Sequence, residues 1–305
     1  MISHSGDGIL VGSRLGGTTL DVQAIYTGYV NENTSSLNTS VNDLSADHQE
    51  NFTSPRMIEK LTWSLPGIYR QNLSLSVLAQ QDLHQKDDMV DGSEKMHSQF
   101  LELVLKGFLS PAVPYRVSAA GETGHYGDAS LWAGIARLET GFFPVQNRSG
   151  VGLDVMYSSG DSWDRGDYYA SGAGDDDDTL HQYIPISSVS GPGYVEVFEL
   201  GNITTLGVFY LMNLKENFSA ELRGTTFLRT TPGPVSSTLV LDDGEDSPFI
   251  GQEGLLSFSV RPVSDVSLGI KAGVFYMGDT ITIAEDLEKY LPVLMRLGVD
   301  FSLSF

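Results

Sequence analysis

The feature that most limits how this chain can fold is a period of two, repeated along its length. The closing stretch, LMRLGVDFSLSF, places Leu297, Val299, Phe301, Leu303 and Phe305 at odd positions, and Arg296, Gly298, Asp300, Ser302 and Ser304 at even ones. Successive side chains of a strand point to opposite faces, so such a run, if extended, has one apolar and one polar face. The pattern recurs. DVSLGIKAGVFY groups Val266, Leu268, Ile270, Ala272, Val274 and Tyr276 against Ser267, Gly269, Lys271 and Gly273. FSAELRGTTFLR sets Phe218, Ala220, Leu222 and Leu228 against Ser219, Glu221, Arg223, Thr225 and Arg229. TLGVFYLMNL, VGLDVMYS, NLSLSVLAQ and TTLDVQAIYTGYV repeat it. Less regular candidates cover 55–65, 97–109, 114–124, 129–142 and 252–261, and 8–15 is the weakest. Most of these segments are close to the roughly 9–11 residues of a tilted membrane strand.

The connections carry a second pattern. Short turns at 66–71, 110–114, 144–150, 215–217 and 262–265 alternate with longer polar segments at 31–54, 83–96, 159–202, 230–251 and 278–290. Only 125–128 is short where a long connection is due. Outer-membrane barrels have short periplasmic turns and long outer loops, so the alternation is what that fold predicts, whereas a soluble sandwich has no reason to keep it. No apolar run approaches the roughly 20 residues of a transmembrane helix. The expected fold is therefore all-β: one domain over 1–305, a transmembrane antiparallel up-and-down β-barrel of 12–14 strands with long acidic extracellular loops. Bacterial single-chain barrels have even strand numbers. Dropping 8–15 leaves twelve candidates, and keeping it implies that a strand precedes it. Residues 1–17 are thus either an extra strand of a truncated barrel or a periplasmic tail. MISHSGDGIL has neither the basic start nor the apolar stretch of a secretory signal, so a lost leader is the expectation.

Charge narrows the partners. Lys plus Arg total 18 against 39 Asp plus Glu, a formal charge of -21, and no basic cluster exists to hold phosphates, which argues against nucleic acid. The absence of cysteine fits an oxidising compartment. Much of the acid sits in the long connections, as in DSWDRGDYYASGAGDDDDTLHQ. Such runs are most often solvated surface. The sharper reading is that Asp175, Asp176, Asp177 and Asp178 hold calcium, since carboxylates are hard oxygen ligands, although they lack the spacing of a defined calcium loop. No other cofactor is expected.

Taken together, the chain resembles a bacterial outer-membrane β-barrel. VGLDVMYSSGDSWDRGDYY, a strand entering a Gly/Asp-rich loop, and the hairpin GNITTLGVFYLMNLKENFSAELRGTTFLRT resemble alginate-export-type porins, and ILVGSRLGGTTLDVQAIYTGYV extends the likeness. The resemblance implies an outer-membrane location, contact with its lipid, and truncation at the N-terminus. It also implies that Phe301, Leu303 and Phe305 present the C-terminal signal read by the barrel-assembly machinery.

If the apolar face meets lipid, the polar face lines a pore. By parity its ionisable residues include Lys106, Arg116, Arg137, Arg223, Arg229, Arg261, Lys271 and Arg296, with Glu122, Glu139, Asp154, Glu221 and Asp300. A one-residue slip would turn Arg296 to lipid at a cost of roughly 2–4 kcal/mol at the midplane, so these charges help to fix register. In one reading they pair across strands and fill the interior. In another, the bases attract anions through a constriction. Twelve to fourteen strands give a narrow passage, and inward folding of 159–202 would narrow it further. The expected function is passive diffusion of small hydrophilic solutes, anions among them; the alternatives are a non-conducting surface barrel serving as adhesin or loop scaffold, and a secreted soluble barrel or sandwich. Enzymatic activity is not expected: His97 and Ser98 fall on opposite faces, GDSWD lacks a strand–turn–helix context, and the histidines show no metal-ligand spacing.

Overall fold

The computed structural model describes residues 7–27, 56–68, 70–83, 95–127, 129–145, 149–161, 179–186, 191–215, 217–233, 235, 247–263, 265–278 and 293–303. Within them the chain is all strand and connection. The order is β1 (Asp7–Leu15), β2 (Thr18–Tyr26), β3 (Arg56–Ile68), β4 (Gln71–Asp82), β5 (Met96–Ser110), β6 (Val113–Tyr126) and β7 (Ala129–Val145). It continues with β8 (Ser149–Ser158), β9 (Thr179–Leu180), β10 (Ile203–Lys215), β11 (Phe218–Arg229), β12 (Phe249–Val263), β13 (Val266–Met277) and β14 (Val293–Leu303). Every strand but β9 pairs with its neighbours in chain order, giving an up-and-down path of 13 strands from β1 to β14 within a sheet of 14 strands. No pairing joins β1 to β14 among the described residues. The two-residue β9 lies off this path, parallel to β7, with Ser130 opposite Thr179 and Leu131 opposite Leu180.

By contacts the chain divides into two units, one of Met1–Leu105, Ser118–Ala136 and Ser158–Val189, the other of Lys106–Val117, Arg137–Tyr157 and Ser190–Phe305. In the first unit, the weak 8–15 candidate is a full strand: β1 pairs residue for residue with β2 from Asp7–Tyr26 to Leu15–Thr18. The hairpin closes through Gly16 and Gly17, both at positive φ (55° and 90°), the conformation that a two-residue turn between right-twisted strands requires. In the second unit, register carries one apolar row across six strands. Val151 faces Tyr210, Tyr210 faces Leu222, Leu222 faces Leu256, Leu256 faces Ala272 and Ala272 faces Leu297.

The apolar face is exposed. Met295, Leu297, Val299, Phe301 and Leu303 are between 51% and 77% accessible, and Leu206, Val208, Tyr210, Leu222, Leu268, Ile270 and Val274 stand out likewise. These side chains are not stacked against a second sheet, as a soluble sandwich would require. Strand ends differ from the expected ones on the short-turn side. β3 runs through Pro66 to Ile68 and β7 runs to Val145, so the turns there are shorter than the sequence suggested. Pairing continues because the mismatch is absorbed by register shifts, between Leu65 and Ile68 and between Val260 and Val263. Proline lacks the N–H that a regular ladder needs, and a bulge accommodates it.

Candidate functional site: the polar face and the segment that covers it

The face opposite the exposed apolar side chains carries most of the charge in the strands. Lys106, Arg116, Glu122, Arg137, Glu221, Arg223, Arg229, Lys271, Arg296 and Asp300 all occupy positions of its parity. Arg261 falls at the Val260/Val263 register shift, where alternation no longer assigns a face.

In the first unit, the described piece of the long connection, residues 179–186, packs on this face. β9 extends the ladder on β7 beyond the end of β8, and Ser159 closes the junction by donating its N–H to Gly134 O (2.9 Å) and accepting the Gly134 N–H at Oγ (2.9 Å). The His181 N–H donates to Asp161 Oδ2 (2.9 Å) and its Nδ1 lies 3.1 Å from Trp132 O. The chain then turns onto the polar face, where the Ile184 N–H donates to Glu122 Oε2 (2.9 Å) and Tyr183 meets Phe100 edge-on with centroids 6.2 Å apart. Glu122, named from the sequence among the pore-lining residues, is 2% exposed and holds the Ile184 main chain. Burial, with smaller contributions from Glu122 and Glu102, pushes the Tyr183 phenol above its ordinary pKa, so it stays neutral.

In the second unit, residues 191–202 lie on the polar face of β10–β14. Glu253 of β12 accepts the Tyr194 N–H at both oxygens (3.1 and 2.8 Å) and the Val195 N–H at Oε2 (2.6 Å). A carboxylate holding two successive main-chain amides makes charge-assisted bonds, stronger than neutral ones. Arg296 Nη1 donates to Tyr194 O (2.9 Å), and its guanidinium stands 5.1 Å from the Tyr194 ring centroid, with Lys271 Nζ at 6.0 Å. The ring fits because Gly273 and Gly298 lack side chains: a Cβ on Gly273 would come within 2.6 Å of Val195 and 2.8 Å of Tyr194, and one on Gly298 would collide with the Tyr194 hydroxyl. Further along, Phe198 stacks on Phe227 (4.9 Å) and Phe275 (6.0 Å), all three fully buried. Asn202, at positive φ (54°), ends the segment by bonding Thr231 through both side-chain amide atoms.

Elsewhere on this face, in the same unit, the charges pair. Arg137 makes a bidentate contact with Asp154 (Nε–Oδ1 2.9 Å, Nη2–Oδ2 2.7 Å) and reaches Glu139 at 3.1 Å. Arg116 stands 3.9 Å from Glu139. Arg223 contacts Asp154 (3.3 Å) and Glu221 (2.8 Å) and lies over the Phe209 ring (4.9 Å). Lys271 pairs with Asp300 (3.1 Å). Three arginines and three carboxylates thus alternate from β6 to β11, and of the two sequence readings, cross-strand pairing describes these residues.

The clasp of Tyr194 by Glu253 and the Phe198–Phe227–Phe275 cluster are absent from the sequence expectations. A signal for the cluster exists: Phe227 and Phe275 are large apolar residues at polar-face parity, with Ile203 and Ile250 also fully buried nearby in the chain pattern. The other predicted features divide. Phe301 and Leu303 are exposed on the apolar face, at 63% and 51%. Phe305 and the Asp175, Asp176, Asp177 and Asp178 run lie outside the described residues. Among the described residues no cluster of three or more His, Asp or Glu could hold a metal ion. His97 and Ser98 do face opposite ways: Ser98 is buried, and the exposed His97 accepts the Asp82 N–H at Nδ1 (3.3 Å).

No protein-family model and no curated protein matches the chain. Among solved structures it is similar to a NanC porin, at 8% identity and a TM-score of 0.37, over 82% of this chain and 94% of that one. It is also similar to the toluene transporter TodX of Pseudomonas putida in two crystal structures, at 10% and 11% identity and TM-scores of 0.35 and 0.36, each over 98% of this chain and 82% of that one. The alginate-export resemblance has no counterpart in these comparisons. At such scores the likeness carries no argument about function, which rests on the chain's own two-faced strands and the segment packed on their polar side.

Proposed function

We propose that the protein is a bacterial outer-membrane channel through which small hydrophilic solutes diffuse passively, narrowed by the pieces 179–186 and 191–202 of the long connection. The carrying observation is the exposed apolar face. Soluble monomers rarely leave contiguous apolar patches beyond a few hundred Å² in water, whereas a row such as Tyr210, Leu222, Leu256 and Leu297 suits acyl chains. On that placement the polar face lines the passage, and Phe301, Leu303 and Phe305 offer their alternating apolar side chains to the assembly machinery. The anion preference would rest on basic residues of this face, and the pairing of Arg116, Arg137, Arg223 and Lys271 with carboxylates weakens its support.

The pieces 179–186 and 191–202, each bonded to a wall carboxylate, also support a second reading, a non-conducting surface barrel serving as adhesin or scaffold. Planar-bilayer recording separates the two. Discrete current steps in KCl are expected from the refolded full chain. A folded protein that inserts and carries no current would end the channel reading in favour of the second.

A further inference from the structure

Resting on the channel reading, we infer that the polar face of β11–β14 holds a binding site for a neutral polyhydroxylated solute of mono- or disaccharide size. A recess of about 590 Å³ lies there, within the second unit and on the short-turn side of the Tyr194 clasp. Its volume falls in the range of small-molecule sites. Its charged residues are Glu221, Arg223, Lys271 and Asp300, two of each sign. Each is already paired, Arg223 Nε with Glu221 at 2.8 Å and Lys271 Nζ with Asp300 at 3.1 Å, and Arg223 is further held by Asp154.

This pairing decides the ligand class. An anion would have to take Arg223 or Lys271 from its carboxylate and would then face that carboxylate unpaired, a juxtaposition that costs affinity. A neutral ligand displaces nothing. A paired carboxylate keeps spare lone pairs and a paired guanidinium keeps spare N–H groups, so both still bond hydroxyls. The rest of the polar lining is hydroxyl: Ser219, Ser257, Ser259, Ser267 and Ser302. Each serine both donates and accepts, which matches a polyol and gives no preference to a charge. Register places several of these groups in one transverse row, since Ser219 faces Ser259, Ser259 faces Gly269 and Gly269 faces Asp300. Gly269 leaves that row open. Tyr194 borders the recess through Lys271, whose carbonyl lies 3.5 Å from the Tyr194 hydroxyl.

The test uses the full chain in a planar bilayer. KCl current without sugar tests the channel reading by itself. Sucrose is then added, and in parallel glucuronate, with block read as a fraction of each channel's own KCl current. Saturable block by sucrose is expected, with half-block by glucuronate needing about tenfold more, and the S257A/S259A double variant should weaken sucrose block about tenfold through the loss of two hydroxyl partners. A conducting channel on which sucrose has no saturable effect, on which glucuronate blocks as well as sucrose, or in which the double variant blocks like wild type overturns the site while leaving the channel reading intact. If no current is seen, the channel reading fails and calorimetric titration of sucrose into the detergent-solubilised protein decides the site. Saturable heat that weakens in S257A/S259A supports it, and its absence overturns it.

Discussion

Asp154 is the residue on which the paired charges of the second unit converge, with Arg137 bidentate on one side and Arg223 on the other. Arg137 is 44% exposed and the pairs are solvent-screened, so each is worth roughly 0–1 kcal/mol and the fold tolerates the loss. Charge balance does not. Asp154→Asn leaves Arg116, Arg137 and Arg223 facing only Glu139 and Glu221, and the passage should shift toward anion permeation, read as a change of reversal potential in a KCl gradient. An unchanged potential would mean that these residues do not line the ion path. The sequence shows the facing of Asp154 and its arginines, because alternation assigns a face to each. It concealed that Glu122 and Glu253 bind main-chain amides, since an acceptor's partner is an N–H that every residue but proline carries and no side-chain pattern marks.

At the scale of elements, the strands were legible because a two-sided environment writes period two into the residues, and each segment read that way, including 8–15, forms a strand. Strand ends were less so. Bulges let pairing continue through Pro66 and past Val260, where sequence reasoning stopped at the turn former. The 191–202 segment was illegible for a different reason: it has no period, and its placement comes from contacts distant in sequence. Its apolar hold is Phe198 packed against Phe227 and Phe275, which also touch each other. Phe198→Ala should remove roughly 3–5 kcal/mol from that docking, enough to free the segment without unfolding the sheet. Faster protease cleavage within 191–202, with unchanged heat-modifiable migration, is the expected outcome; equal cleavage rates would show that the segment is held by other contacts.

For the whole molecule, the described residues bury several polar side chains beside an apolar cluster and leave many large apolar ones exposed. Fully buried positions include Arg56, Gln80, Glu122 and Asn202, while leucines, valines and aromatics of β8 and β10–β14 are accessible. The protein should therefore require detergent for extraction and, if boiled, migrate differently from the unheated sample. Monodisperse behaviour in plain buffer would return the chain to the soluble class. Composition bounded this scale only negatively, through too little base for nucleic acid and no helix to span a bilayer. The Glu253 clasp adds one more consequence. Because it grips the backbone at 194 and 195 and not the side chains, the fastening and the working edge are separate parts. On the channel reading, exchanging the ring at 194 for something smaller or more polar alters what is admitted, while the backbone fastening stays where it is.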